Sequence, residues 1–430
     1  MTEATQTPTQ ATARARAADA AAARLKQRYA QERRFKLYGQ AAIVAALTFL
    51  VILIGRIGVQ GYSTFVDYQI ALPVHLDATR IDRSYPQGAN YDAMVAEALS
   101  AKLGAGPDDR AAVARLLSND LGFQLLDKVR KDPGLIGRTV TVTGPIGADA
   151  GLYYKGEMTR STPAQLRKLS DQQLAWLDRL KAQGLVRGGF NLAFLTRSDS
   201  TSPEQAGVFG AVVGSAMMLL VTALLAVPIG VLAATYLEEF APKNRWTDFI
   251  EVNINNLAAV PSIVYGLLGL AVFINWLAVP RSSALVGGLV LALMALPTVI
   301  IATRSALKAV PPSIREAALG VGASRTQTVF HHVLPLAMPG VMTGAILSMA
   351  HALGETAPLL MIGMVSFVPG VPTSLTSAAT VLPVQVFIWE NASERAFHER
   401  TAAAILVLLA FMILMNLAAI LLRRRFERRW

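Results

Sequence analysis

Residues 313–335 read SIREAALGVGASRTQTVFHHVLP, a polar interruption between long apolar runs. Ser313 with Glu316, and Ser324 with Gln327, have the spacing of a capping box, in which a serine and a residue three positions on satisfy each other's free backbone N–H groups. Ile314, Ala317, Ala318 and Val321 fall on one helical face, and Thr326, Val329, Phe330 and Val333 on a second. Gly320 and Gly322 supply a turn, and Pro335 is expected to end the unit. The pattern predicts two short amphipathic helices joined by a bend. Such a hairpin beside a membrane has two readings, a docking site for a partner or a helix pair resting on lipid, and pattern alone leaves both open.

Working outward, the surroundings are those of a membrane protein. Hydrophobic residues make up 53% of the 430 and charged residues 16%, a balance outside that of soluble chains. Apolar runs of about 20 residues, enough to cross a bilayer, occur at Gln40–Gly58, Val208–Leu237, Leu257–Val279, Ala284–Thr303, Leu336–Val365 and Thr401–Leu422. The second and fifth are long enough to need tilt, a kink or an interfacial end. Arg24, Lys26, Arg28, Arg33, Arg34 and Lys36 precede the first run, and Arg423, Arg424, Arg425, Arg428 and Arg429 follow the last. An even number of spans puts both ends on one side, and the positive-inside rule makes that side the cytoplasm. The net charge of +11 therefore follows topology, and no nucleic-acid partner is expected.

The expected organisation is a basic cytoplasmic tail at 1–39, a first transmembrane helix at 40–59, an extracytoplasmic domain at 60–206, a core with five transmembrane helices at 207–422 and a basic tail at 423–430. The first run reads as a signal anchor, because it is long, carries Arg56 near its outer end and precedes no A-x-A-like site. Met1–Ala23 has the composition of a disordered segment, and Arg24–Tyr38 that of a basic helix on the inner leaflet. Cysteine is absent, which excludes disulfides and thiol chemistry. In the extracytoplasmic segment, Asn90–Leu103, Asp108–Leu117 and Pro163–Ala182 read as helices, the last with Thr162 as cap and Gln165 closing a capping box. Arg138–Gly144 and Gly188–Leu195 read as strands, so the domain is α+β. It has a structural or docking character, with His75 as its one imidazole.

Catalysis is not expected. The five histidines stand in no metal-ligand or triad spacing, and His331 and His332, as helix neighbours, point about 100° apart. Without a phosphate-binding loop the chain cannot hydrolyse ATP by itself.

The fifth run reads LAMPGVMTGAILSMAHALGETAPLL from Leu336 to Leu360. Gly344, Ser348, His351 and Glu355 form one helical stripe, opposite Ile346, Met349 and Leu353. A carboxylate inside a bilayer costs about 2.5–3.5 kcal/mol, so it persists only facing protein, water or a partner charge. The stripe either lines a transport pathway or locks helices together by hydrogen bonds. His351 and Glu355 are spaced to pair, and Pro358 is expected to break the helix just beyond them. Gly207, Gly210 and Gly214 make a small-residue edge on the second span. Pro228, Pro261 and Pro297 are expected to interrupt their spans, with Ser262 and Tyr265 beside the Pro261 bend as either substrate or packing groups.

Glu316-Ala317-Ala318, Gly322 and Leu334-Pro335 resemble the E-A-A…G…L-P loop of type I ABC importer permeases, with His332 in place of the usual isoleucine. Ala233–Glu239 (AATYLEE), Ala259–Gly266 (AVPSIVYG) and Gly354–Leu360 (GETAPLL) resemble the phosphate-specific permeases, the last in its PstA-type form. The resemblance covers about Gly207–Leu422 and the first span, while the large insertion matches only an extended subset. It implies an all-α polytopic fold of six transmembrane helices, with an α+β extracytoplasmic domain inserted between the first two. It implies half of a translocation pathway, paired with a PstC-like sister permease in the bacterial cell (inner) membrane with both termini cytoplasmic. A PstB-like ATPase dimer would bind ATP and Mg, with no cofactor in this chain, and a PstS-like periplasmic protein would deliver inorganic phosphate. The loop at 313–335 would couple to the ATPase through Arg315, Glu316, Ala317, Ala318, Gly320 and Gly322. Glu355, His351, Ser348, Thr356, Ser262 and Tyr265 would line the pathway. The family commonly carries arginine where His351 stands. Histidine attracts an anion only when protonated, with an ordinary pKa of about 6.5, so either another cation serves or transport has an acid-side dependence. Alternatives are a related importer for another oxyanion or small solute, and a membrane-anchored scaffold.

Overall fold

The computed structural model describes residues 8–163 and 167–426. The chain divides into two compact units after Val59. The first unit is helix α1 (Pro8–Tyr62), whose last turn enters the second. The helix extends through the stretch expected to be disordered, from Pro8 onward. The physical reason is composition: residues 9–38 contain neither Gly nor Pro and are rich in Ala, Arg, Lys and Gln, the strong helix formers.

The second unit opens with the α+β domain. Strand β1 (Val66–His75) lies at the centre of an antiparallel sheet of order β2-β1-β3, with β2 at Thr139–Pro145 and β3 at Val186–Phe190. Ile70, Leu72 and Val74 alternate inward and are fully buried, the period-two pattern of a half-covered strand. The strand is not expected from the sequence, because a proline such as Pro73 lacks the N–H a central strand uses. Helices α2 (Tyr91–Leu103), α3 (Arg110–Ala114), α4 (Asp120–Lys131), α5 (Ala148–Lys155), α6 (Asp171–Ala182) and α7 (Leu192–Thr196) complete the domain. Asn90 caps α2, its side chain accepting from the Ala93 N–H at 2.9 Å. The helix expected from Pro163 begins instead at Asp171, where Ser170 and Gln173 form the capping box. The proposed Gln165 partner lies outside the described residues. The second expected strand ends at Phe190, and α7 takes over its last residues.

The membrane core follows. Helix α8 (Phe209–Thr235) continues through Tyr236–Phe240, and α9 (Arg245–Ala258) meets α10 (Ser262–Leu268, continuing to Trp276) at a bend of 103°. Then come α11 (Ala284–Lys308), α12 (Pro312–Gly320), α13 (Arg325–Gln327), α14 (Leu334–Gly354), α15 (Ala357–Met361), α16 (Leu382–Glu390) and α17 (Arg395–Phe426). Among the described residues, 5 helices are long and apolar enough to cross a membrane, or 6 if the bent pair is one span. Leu257–Val279 is thus broken at Pro261, not continuous. Pro228 and Pro297 lie inside unbroken helices, contrary to expectation.

The glycine edge packs as its composition suggests. A β-carbon at Gly210 would come 2.8 Å from Ser198 Oγ, and one at Gly214 would strike the Thr380 carbonyl oxygen. The edge meets the chain around Arg197, Ser198 and Thr380.

Candidate functional site

The hairpin is present as two helical arms. Pro311 precedes α12 and Pro312 opens it, so no side chain caps its start and Ser313 lies within the first turn. The expected Ser313–Glu316 box is therefore absent. The Ser324–Gln327 box is formed, with Gln327 N–H donating to Ser324 Oγ at 3.2 Å and Ser324 N–H to Gln327 Oε1 at 2.9 Å. Gly322 turns the chain at φ +90°, a conformation open to glycine and strained for residues with a β-carbon. Pro335 does not end the unit. The second arm runs from α13 through a π-helical stretch, Thr328–Val333, directly into α14. A proline ring clashes with the carbonyl four residues before it, and the wider turn accommodates it.

Arg315 ties the first arm to the core. Its Nη2 lies 2.6 Å from Glu239 Oε1, and its Nε is 3.2 Å from both Glu239 oxygens. It also donates to the carbonyls of Val310 at 2.8 Å and Leu307 at 3.0 Å. Beside it, Arg304 bonds Glu251 at 2.6 Å and Glu238 at 3.3 Å, joining α11 to α9 and to the end of α8. A cleft of about 600 Å³ lies among Glu238, Glu239, Lys308, Arg315, Arg325 and Val329. Glu238 and Glu239 lie within the AATYLEE motif, but their arginine partners stand 66 and 76 residues away, too far to leave a local pattern. Ala318 is buried, while Leu319 is 50% and Val321 86% exposed, and Glu316 points to solvent.

The second cluster lies where helices break. α14 ends at Gly354 and Glu355 is extended, at φ −79° and ψ 125°. Glu355 is thus off the helical stripe assigned to it, and the break precedes Pro358, which sits in the first turn of α15. The stripe itself divides. Gly344 packs against Ala302, and Ser348 is buried with its hydroxyl donating to the Ala295 carbonyl at 3.3 Å. His351 is exposed, its Nε2 3.4 Å from Oε1 of the half-buried Glu355. Thr356 precedes α15 and makes no side-chain cap.

Tyr265 spans the Pro261 bend, donating from its hydroxyl to the Leu257 carbonyl at 2.8 Å, while Ser262 is half-buried. α10 and α15 pack so closely that a β-carbon on Gly266 would come 2.7 Å from Pro358 Cα. The motifs around Pro261 and Glu355 therefore meet in space. Broken backbone at membrane depth leaves unpaired polar groups, tolerated where protein or water covers them.

Residues 226–430 match the family of binding-protein-dependent transport system inner membrane components, and 22–164 match a domain of unknown function, DUF3333. The probable ABC transporter permease protein YqgI of Bacillus subtilis (strain 168) is 32% identical over 242 residues, 53% of this chain and 81% of that protein. The phosphate transport system permease protein PstA 1 of Mycobacterium tuberculosis (strain CDC 1551 / Oshkosh) is 35% identical over 225 residues, 51% of this chain and 72% of that protein. Among solved structures, an inward-facing form of the MetNI methionine ABC transporter matches with a TM-score of 0.43 and 18% identity, covering 51% of this chain and 95% of that one. With relatives above 30% identity matched over most of their length, this chain belongs to the family of binding-protein-dependent transport system inner membrane components, the permeases of ABC transporters.

Proposed function

We propose that the chain is the PstA-type permease of an ATP-driven phosphate importer, forming half of the pathway beside a PstC-like sister. The observation that carries the reading is the anchored hairpin. Leu319 and Val321 stand in solvent on an arm fixed to the core through Arg315, an arrangement suited to a protein partner that covers the apolar tip. That partner is a PstB-like ATPase dimer, which binds ATP and Mg and supplies the energy this chain cannot. A PstS-like protein delivers phosphate from the opposite side. Phosphate itself is supported by the likeness to the M. tuberculosis relative, a phosphate transport system permease.

Glu355, His351, Thr356 and Ser262 form the pathway wall in this reading. Ser348 and Tyr265 hold their hydroxyls on backbone carbonyls and act as supports for that wall. The basic ends of the chain put both termini in the cytoplasm. The test is tagging this chain in its native membrane, purifying it, and measuring radiolabelled phosphate uptake in vesicles of the recovered complex. Recovery of an ATPase and a second permease, with uptake resisting excess sulfate and molybdate, is expected. A chain recovered alone would overturn the coupling reading, and uptake abolished by either competitor would overturn the substrate.

A further inference from the structure

The extracytoplasmic domain is joined to the membrane core by more than its two chain connections. Helix α17 begins at Arg395, before the apolar run that opens at Thr401, and its first turns are embedded in the domain. Ala396 belongs to the same buried cluster as Ile70, Leu125 and Leu174. One turn on, Glu399 is 7% and Arg400 6% exposed. Lys155, at the end of α5, reaches Glu399 Oε2 at 3.0 Å, with 13% and 9% of the two side chains exposed. Arg400 donates from Nη1 to the carbonyl oxygen of Ala206, just before the second span, and its guanidinium lies 5.9 Å from the centre of the Phe194 ring. Asp67 on β1 and Glu204 complete the cluster around a cavity of about 20 Å³, and Glu204 accepts from Ser118 Oγ at 2.7 Å. Gly61 packs against the backbone of Ala402 and Ala403, where a β-carbon would come 3.0 Å from each.

Buried ion clusters are weak sources of stability, since apolar side chains of similar volume often serve as well or better. What this one fixes is geometry: Lys155 pairs with Glu399, and Arg400 holds the Ala206 carbonyl. The domain has its own apolar core, which Ala396 of α17 joins.

We infer that this cluster is a rigid coupling that makes the extracytoplasmic domain an extension of the last helix, so that the outer ends of α8 and α17 move as one body during import. Lys155, Glu399 and Arg400 are then positioning residues for transport, and the inference rests on the permease reading above. A loosened coupling lets ATP be hydrolysed without productive movement, so the ATP consumed per phosphate imported rises. A merely structural role lowers the amount of active complex and leaves that ratio unchanged.

The experiment uses the purified transporter complex in vesicles and measures both quantities for Glu399→Gln, Glu399→Lys and the apolar pair Lys155→Met with Glu399→Met. Glu399→Gln and Glu399→Lys are expected to raise the ratio at least threefold, with partner recovery and trypsin resistance of residues 60–206 unchanged. The apolar pair, which restores contact by packing, is expected within twofold of wild type. Glu399→Gln keeps the side-chain shape and is informative where Glu399→Lys disturbs folding. A ratio unaltered in both single variants, whether or not uptake falls, overturns the inference. Failure of the permease reading is separately visible as wild-type vesicles that import no phosphate.

Discussion

Replacing Glu239 with alanine removes the carboxylate from the Arg315 pair and leaves the guanidinium with the Val310 and Leu307 carbonyls. The magnitude follows from exposure. Fully buried pairs lose about 3–5 kcal/mol when one partner is removed, and solvent-exposed pairs less than about 1. At 23% and 9% exposure the Arg315–Glu239 pair falls between them, at about 2 kcal/mol. That is roughly a 30-fold rise in the open population of the hairpin. Hydrogen exchange of the backbone amides of residues 313–320 reads that population directly, and exchange there should quicken by that factor while α11 stays protected. The charge-reversed pair, Glu239→Arg with Arg315→Glu, should not restore protection. A carboxylate at position 315 would face two carbonyl oxygens in place of the donors they now accept from. Unchanged exchange in Glu239→Ala, or full rescue by the reversed pair, would refute the argument that a directional clamp holds this arm.

Four further outcomes are expected. His351→Arg should retain phosphate uptake, since a fixed cation there still attracts the anion, and loss of uptake would remove His351 from the pathway. Glu355→Gln should lower uptake velocity without lowering the level of the chain in the membrane, checked by immunoblot beside transport. Glu316→Lys should leave the melting temperature alone, since Glu316 is exposed, and separate ATP hydrolysis from transport; normal phosphate-stimulated hydrolysis would contradict it. Burial raises the carboxyls of Asp67, Glu204 and Asp149 above their ordinary values. A raised carboxyl binds its proton more tightly when folded, so its contribution to stability is complete below the unfolded value and is lost as pH rises through the folded one. Asp77 and Asp82, lowered by hydrogen bonds from Thr79 and Ser84, lose their contribution only at more acid pH. Resistance of the α+β domain to thermal unfolding should therefore rise on acidification toward the ordinary carboxylate range.

The sequence made some of this legible through short-range rules. The Ser324–Gln327 box, the glycine edge and the pairing of His351 with Glu355 each depend on residues a few positions apart, and each is present. The errors come where a local rule competes with a wider one. Pro335 reads as a stop, yet a π-helical stretch carries the helix past it. Ser313 has box spacing, yet the preceding prolines start the helix two residues earlier than a Ser313 cap would. Glu355 continues a stripe in projection, but the helix ends at Gly354. The long-range ion pairs, Arg315 with Glu239 and Lys155 with Glu399, leave no periodic trace because their partners are 76 and 244 residues apart.

The Arg315–Glu239 pair and the Arg400–Ala206 contact hold the same element from opposite ends. Glu239 lies in the last turn of the helical run Phe209–Phe240, and the Ala206 carbonyl held by Arg400 lies just ahead of its first turn. The run has 32 residues and spans about 48 Å at 1.5 Å per residue, with Pro228 enclosed and no break. A helix without a hinge transmits displacement along its length. The bent segment at Pro261 and the break at Glu355 do not, and there the chain can change shape. In the proposed coupling, motion imposed on the hairpin would reach the α+β domain through α8 as through a rigid rod. The deformation concentrates where α10 meets α15, beside His351 and Glu355, the groups assigned to the pathway. If that division holds, hydrogen exchange measured with and without ATP should change around residues 259–266 and 352–360 and remain constant along α8, and a change along α8 itself would contradict the rod.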